Sequence, residues 1–341
     1  MNTAEETEAL AILTASDKEI SINDLRDPIA ADLKEFRKFF KNELKSDVFL
    51  LDQMIRYLMK MKGKEMRPML VLHSANLCGG INESTYRAAT MIELLHTATL
   101  IHDDVVDESE KRRGFMSINY IWKNKASVLL GDFLLAKGLL VSVSAGEYDL
   151  LQVMSKAVKS MSEGELRQLK ASKLQNMTEE KYFRIIYEKT ASLIAACCES
   201  GAISATKDPA VQQAMSEIGR NTGIAFQIRD DIFDYGPADV GKPIGNDIRE
   251  RKITIPLIAA LDNAPFMLRR SMRSLYRKKG KTDDEVQRIM DFVREYGGLE
   301  YATGKMNGYA AAALNQLMEF PDSESRGHME NFIRFVTTRK K

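Results

Sequence analysis

None of the eight prolines lies between Met69 and Asp208. Proline removes a backbone donor and clashes with the preceding turn, so its absence over so long a stretch, rich in Ala, Leu, Met, Glu and Lys, predicts successive helices. The punctuation agrees. Helices are expected over 29–42 and, from a cap at Ser46, toward Met61. The breaker GKEMRP at 63–68 precedes a helix over 69–77, and Asn82 caps the next, which carries His96. Further helices are expected from Ser127 to a break at Gly146, over 150–175 and over 178–205, and from the start signal Asp208-Pro209. Thr282 with Glu285 forms a capping box, and helices over 299–320 and up to Arg339 complete the chain. No segment alternates as a strand should, so the fold class is all-α. Residues 1–24 read as a weakly ordered tail and 25–341 as a single domain.

Inside this helical frame lies an anomaly, LIHDDVVDESEKRRG. Asp103, Asp104 and Asp107 sit in an apolar run, followed by Arg112 and Arg113. On a helix Asp103 and Asp107 share one face, where like charges repel by a few tenths of a kcal/mol. A cation between them removes that cost. The spacing returns in FQIRDDIFDY as Asp230, Asp231 and Asp234. A solvated acidic face is the bland explanation, but Val, Ile and Phe flank both clusters. The better reading is two carboxylate sites for a hard cation such as Mg²⁺, which takes one or two carboxylates and completes its shell with water and substrate phosphates. Two such clusters suggest a diphosphate clamped through metal ions.

With 341 residues, 44% hydrophobic and net charge +1, the chain has ample core and no global field for nucleic acid. Three cysteines, Cys78, Cys197 and Cys198, have no disulfide or metal spacing and suggest a reducing, cytoplasmic setting. The first seventeen residues lack Lys and Arg, the wrong charge for a secretory signal. The most apolar window, 127–145, is interrupted by Asp132 and Lys137, which argues against a membrane span.

Phosphate basicity must then be local. Lys64 and Arg67 lie in the breaker, Arg112 and Arg113 follow the first acid cluster, Lys189 sits in EKTAS, and Lys242 and Lys252 flank a Gly/Pro-rich stretch at 236–251 that reads as a functional loop. His96 precedes Asp103 by seven residues, about 10.5 Å along one helix face, within reach of a second phosphate group.

These blocks, GKEMRP, ELLHTATLIHDDVVDESEKRRG, GDFLL, SEGELRQL, EKTA, FQIRDDIFDY and GKPIGNDIRERKITIP, resemble in content and order the trans-isoprenyl diphosphate synthases, the polyprenyl synthetases, from about Ser46 onward. The resemblance implies a bundle of about ten or more helices around a central cavity. It implies that Asp103, Asp107 and Asp230 hold Mg²⁺, three ions with substrate bound, supported by Asp104, Asp231 and Asp234. Arg112, Lys189 and Lys252 would contact the allylic diphosphate, Lys242 would close the loop over it, and Thr190 and Gln227 would face the developing carbocation. Lys64, Arg67, His96 and Arg113 would form the isopentenyl diphosphate pocket. A homodimer is implied. Two positions depart from the pattern: Glu65 stands where a basic residue is common, and Arg229 where an apolar one is.

In such enzymes the growing tail runs beside the helix that precedes the first cluster. Ala98 and Thr99 are small there, and Leu95 lies a turn further back as a candidate floor. Small residues leave at least another turn of tunnel, about 5.4 Å, which favours a medium- or long-chain all-trans product over a farnesyl- or geranylgeranyl-length one. A class I terpene cyclase would lack the second full aspartate cluster, and a non-catalytic subunit would lose the aspartates. A di-iron bundle needs two Glu-x-x-His pairs, where only Glu93 with His96 is present. The run 268–281, with seven Lys or Arg residues, is a solvated face or a site of transient membrane contact.

Overall fold

The computed structural model describes residues 20–61, 63–112, 114–174, 178–236 and 245–339. Helix α1 (Ile22–Arg26) starts within the stretch read as a tail. Ser21 and Asp24 close a capping box, and the carbonyl of fully buried Leu25 takes a 2.7 Å bond with the buried His73 ring. Then come α2 (Ala30–Glu43), α3 (Phe49–Leu58), α4 (Met66–Cys78) and α5 (Glu83–Val106). The expected cap at Ser46 is displaced: Val48 is the N-cap, and the Ser46 hydroxyl accepts the Val48 N–H at 3.2 Å. Asn82 caps α5 as its sequence signal indicates, in a reciprocal pair with Thr85.

A short hairpin, β1 (Lys111–Arg112) with β2 (Phe115–Met116), departs from the strand-free expectation; two residues a side are too short for alternation to be legible. It is followed by α6 (Ile118–Val143), α7 (Tyr148–Leu174) and α8 (Glu179–Ile186), a π turn (Tyr187–Ala191), then α9 (Ser192–Ala205) and α10 (Pro209–Phe233). Thr178 and Asp208 cap α8 and α10 through their side chains. Part of the expected loop at 236–251 is helix α11 (Asn246–Glu250), while 237–244 fall outside the described residues. Helices α12 (Ile255–Asn263), α13 (Phe266–Arg277), α14 (Asp283–Glu295), α15 (Gly298–Met318) and α16 (Glu324–Thr338) complete an all-α architecture.

The centre is α9 and α10, with α4, α5 and α15 packed around them. Close approach requires glycine. A Cβ on Gly201 of α9 would lie 2.5 Å from the Val71 carbonyl of α4, and one on Gly223 of α10 would lie 2.6 Å from Ala191 of the π turn. These contacts draw the π turn against α10 beside the second aspartate cluster. Helix α6 lies along α5 and is long and apolar enough to cross a membrane by length and composition. Its outer face stays apolar, with Leu129 60% and Leu140 55% exposed.

Candidate active site

The first cluster ends α5. Asp104 turns inward, 3% exposed, and Arg112 on β1 holds it with Nε at 2.7 and 2.8 Å and Nη2 at 2.6 Å. The hairpin makes this possible by folding Arg112 back, anchored by the Tyr57 hydroxyl, which donates to the Met116 carbonyl at 2.8 Å. Asp103 is half-buried and Asp107, the C-cap of α5, is exposed. Burial pushes the Asp103 carboxyl up, Glu165 pushes the same way, and Lys189 opposes both. That places the ends of α5 and α7 and the π turn within electrostatic reach of one another.

The π turn carries the central constellation. Its wider winding leaves both Lys189 and Thr190 partly exposed while Glu188 and Ala191 are buried. Lys189 Nζ reaches Glu165 at 2.5 Å and Gln168 at 2.9 Å, both on α7. Thr190 donates to Gln227 Oε1 at 2.9 Å, Gln227 Nε2 donates to Asp231 Oδ1 at 3.0 Å, and the Tyr182 hydroxyl donates to Asp231 Oδ2 at 2.7 Å. Asp231 is 4% exposed, and burial pushes its carboxyl up to about 7 against the pull of those two hydrogen bonds. Asp230, one residue earlier, is partly exposed and pairs with Arg339 at 2.6 Å. Asp234 caps α11 from a distance, accepting the N–H groups of Asn246 at 2.9 Å and Asp247 at 3.1 Å.

Lys252 closes this side. Burial works against its charge, but the bond to Glu250 at 2.5 Å outweighs it, with further support from Asp247 and Asp107, and the lysine pKa rises. The contribution of Asp107 ties this loop to the first cluster. A cavity of about 130 Å³ is lined by Lys189, Thr190, Gln227, Asp231, Asp247 and Lys252, together with Gln168 and Tyr182. A larger cavity, about 670 Å³, opens between α2, α5 and the GKEMRP turn, with Glu65, Glu93, Thr97, Asp104 and Arg112 in its wall.

Of the diphosphate-pocket candidates, Lys64 is exposed, Arg67 is partly buried, and His96 is buried beside Thr97 of the larger cavity. Arg67 and Glu93 both act on the Cys197 thiol, which burial pushes up to about 12. Arg113 and Lys242 lie outside the described residues. Glu65 does not stand as a bare negative charge: Arg37 of α2 grips both its oxygens, at 2.9 and 2.5 Å. Ala98 is fully buried in the apolar cluster it shares with Leu94, Ile101, Leu130 and Leu134; Thr99 is partly exposed; Leu95 packs at Gly138 of α6.

Sequence reasoning missed Tyr182, Glu165, Gln168 and Asp247. The last had a signal, a second acid within the Gly/Pro-rich stretch, and burial lifts its carboxyl to about 6. The others are set by packing across helices and carry none.

The donor set suits a hard cation. Asp103, Asp107 and Asp230 are the less buried carboxylates, Asp230 with one oxygen on Arg339, whereas Asp104 and Asp231 are buried and engaged. Among the described residues no three His, Cys, Asp or Glu side chains converge into a site complete in itself. That is the arrangement in which Mg²⁺ draws remaining ligands from a phosphorylated substrate.

The family model for polyprenyl synthetases matches residues 48–293. The chain is 36% identical over 319 residues to the geranyl-diphosphate-specific all-trans-nonaprenyl-diphosphate synthase of Rhodobacter capsulatus, covering 93% of this chain and 97% of that one. It is 33% identical over 309 residues to the octaprenyl diphosphate synthase of Escherichia coli K12, covering 90% and 95%. Among solved structures, a Caulobacter crescentus polyprenyl synthase complexed with calcium and isoprenyl diphosphate superimposes with a TM-score of 0.86 at 33% identity, covering 96% of this chain and all of the other. With the aspartate clusters, the π turn and the all-α frame in place, these matches establish that the chain belongs to the polyprenyl synthetase family.

Proposed function

We propose that this protein is a trans-prenyltransferase that condenses isopentenyl diphosphate with an allylic diphosphate, head to tail, into a medium- or long-chain all-trans polyprenyl diphosphate of the kind used for quinone side chains. The carrying observation is the π turn, which sets Lys189 against α7 and links Thr190 through Gln227 to Asp231 of the second cluster, with Lys189 within electrostatic reach of Asp103 of the first. The names of the relatives, nonaprenyl and octaprenyl synthases, support the product class.

Lys189, Lys252, Arg112 and Lys242 take the allylic diphosphate. Lys189 and Lys252 rest on Glu165 and Glu250, so each can exchange a carboxylate for a phosphate oxygen without being stripped of a partner. Asp103, Asp107 and Asp230 would hold Mg²⁺, which when bound would neutralise the charge of the departing pyrophosphate, three ions being expected with substrate. The allylic C–O bond breaks with its electron pair on pyrophosphate. Thr190 has committed its proton to Gln227, so its oxygen lone pairs face the site and stabilise the allylic cation. Gln227 keeps that orientation because Asp231 holds its amide. Lys64, Arg67, His96 and Arg113 hold isopentenyl diphosphate so that its double bond attacks the cation, and the released pyrophosphate accepts the proton. These fixed groups, oriented before reaction, are expected to contribute the largest share of rate enhancement.

The tail would grow past Thr99 and Ala98 toward Leu95. The apolar outer face of α6, including Val128, Leu129, Leu139 and Leu140, suits a second copy of the chain, and light scattering reporting a monomer would reject the homodimer. Helix α13 offers a membrane contact: Phe266 and Met267 are each 72% exposed, and Arg270, Arg273 and Arg277 line one groove with them nearby. Lys281, at the end of that basic run, is not on this solvated face; it is 8% exposed and donates to the carbonyls of Ile248 and Lys278. Loss of sedimentation with anionic vesicles in Arg270→Glu/Arg273→Glu would support the contact, and no sedimentation of the unaltered protein at low salt would reject it. A cytoplasmic enzyme visiting the bilayer to deliver its lipid fits both. The test of the whole reading is incubation with isopentenyl diphosphate, C10, C15 and C20 primers and Mg²⁺. Products beyond C25 by mass analysis are expected; a stop at C15 or C20 would refute the chain-length reading, and no elongation would refute the activity.

A further inference from the structure

Arg229 breaks the apolar pattern before the second cluster, and the structure gives it a task. Its guanidinium donates twice to the Arg339 carbonyl, from Nε at 3.3 Å and Nη2 at 3.1 Å. The end of α16 is thereby tied to α10. The Arg339 side chain is 10% exposed, lies 4.0 Å over the Phe226 ring and 5.5 Å from that of Phe233, and pairs with Asp230 at 2.6 Å. Its Nη2 also reaches the Phe226 carbonyl at 3.4 Å, yet its buried Nε has no partner. A guanidinium with an unsatisfied buried donor is held, but not at its best. The two arginines crowd each other: burial and then Arg339 pull the Arg229 pKa down.

We propose that Arg339 is the resident counter-cation of Asp230, so that a divalent ion gains this carboxylate by displacing the guanidinium, and that the displacement loosens the C-terminal end of α16 from α10. Arg339 is a positioning residue in this scheme; it sets metal affinity through Asp230. The proposal rests on the reading of Asp230 as a Mg²⁺ ligand. It gives Arg229 a physical role: by gripping the Arg339 carbonyl it returns the chain end to the acid cluster whenever the cation leaves.

The probe is Mn²⁺, titrated into the full chain without substrate and followed by electron paramagnetic resonance, beside hydrogen exchange of the 336–339 amides. Arg339→Gln is expected to bind Mn²⁺ about five- to tenfold more tightly, the scale of removing one competing partly exposed ion pair. Arg339→Lys, which keeps the charge but loses the stacked planar fork, should gain less. In the unaltered protein, Mn²⁺ with inorganic pyrophosphate should speed exchange at 336–339 several-fold, since the Arg339 N–H is bonded to the Phe335 carbonyl at 3.0 Å. In Arg339→Gln that exchange should already be fast. Asp230→Asn separates the two readings. If Asp230→Asn binds Mn²⁺ as well as the unaltered protein does, the ligand reading falls. If Asp230→Asn weakens binding while Arg339→Gln leaves it unchanged, the displacement falls alone. Tighter binding by Arg339→Gln without any Mn²⁺-dependent change in exchange would reduce Arg339 to a distant field and overturn it too.

Discussion

Replacing Arg112 by alanine tests whether the first cluster is built as a catalytic surface alone or also as part of the fold. The Asp104 side chain is 4% exposed and that of Arg112 30%, with three contacts of 2.6 to 2.8 Å between them. Removing the guanidinium leaves a carboxylate buried without its cation, for which the cost runs at about 3–5 kcal/mol. Arg112 is partly solvated, so water can enter behind the shortened side chain, and the expected loss falls below that range, about 2–3 kcal/mol. Asp104→Asn removes the buried charge and frees Arg112 to swing outward, at about 1 kcal/mol. The double variant has no buried charge to strand and should fall back to about the 1 kcal/mol loss of Asp104→Asn, a coupling of about 2.5 kcal/mol. Urea unfolding at pH 7.5 measures all four proteins. Arg112→Ala within 0.5 kcal/mol of the parent, or strict additivity, would refute the structural role and leave Arg112 only the diphosphate. Arg112→Lys should restore part of the stability, because an ammonium neutralises Asp104 without reproducing the two-pronged grip.

Three further outcomes are expected. Thr99→Tyr should shorten the longest product, since this side chain is partly exposed, while Ala98→Tyr, at a fully buried site, should also cost about 1–3 kcal/mol from overpacking; an unchanged product ladder in Thr99→Tyr would sink the tunnel placement. Burial lowers the His73 pKa to about 4, so between pH 6.5 and 4 the unfolded chain holds a proton that the folded one refuses, and stability falls as pH falls; by pH 5 the loss is about 2 kcal/mol. His73→Gln should flatten that slope in urea unfolding, and an unaltered slope would clear His73 of the effect. Tyr182→Phe removes one of the two hydrogen bonds to buried Asp231 and should destabilise by about 1–3 kcal/mol, with a fall in kcat as Gln227 loses its fixed partner; normal kcat would detach Tyr182 from the reaction.

What the sequence disclosed and what it withheld divide by range. Asn82, Thr178, Asp208 and Thr282 all cap where expected, because each contact spans two or three residues and depends on no neighbour in space. The aspartate clusters were legible for the same reason: their spacing is a helix-face property. The π turn was not, since it depends on close packing against α7 at Gly164 and against α10 at Gly223. Nor was the neutralisation of Glu65, which required Arg37 to arrive from 28 residues upstream. Lys281 looked like one more surface cation in a basic run, yet its Nζ finds two carbonyls and is drawn inside.

The charges at the site share one further property. Arg112 rests on Asp104, Lys189 on Glu165, Lys252 on Glu250 and Arg339 on Asp230. Four bare cations this close would repel one another and destabilise the fold; paired, they present little net field. On the proposed reading, diphosphate and metal would then not meet a preformed charged funnel but would enter by exchange, the phosphate oxygens taking the lysines and the metal taking the aspartates, so that each incoming charge is matched by one released. Exchange is least costly where the resting pairs are partly exposed, as they are for Lys189 with Glu165, each 38% exposed, and for Lys252 with Glu250, at 43% and 57%. The Asp104–Arg112 pair is the least exposed of these on its acid side, so Arg112 is expected to keep Asp104 through Nε and Nη2 throughout turnover and to meet the diphosphate through Nη1.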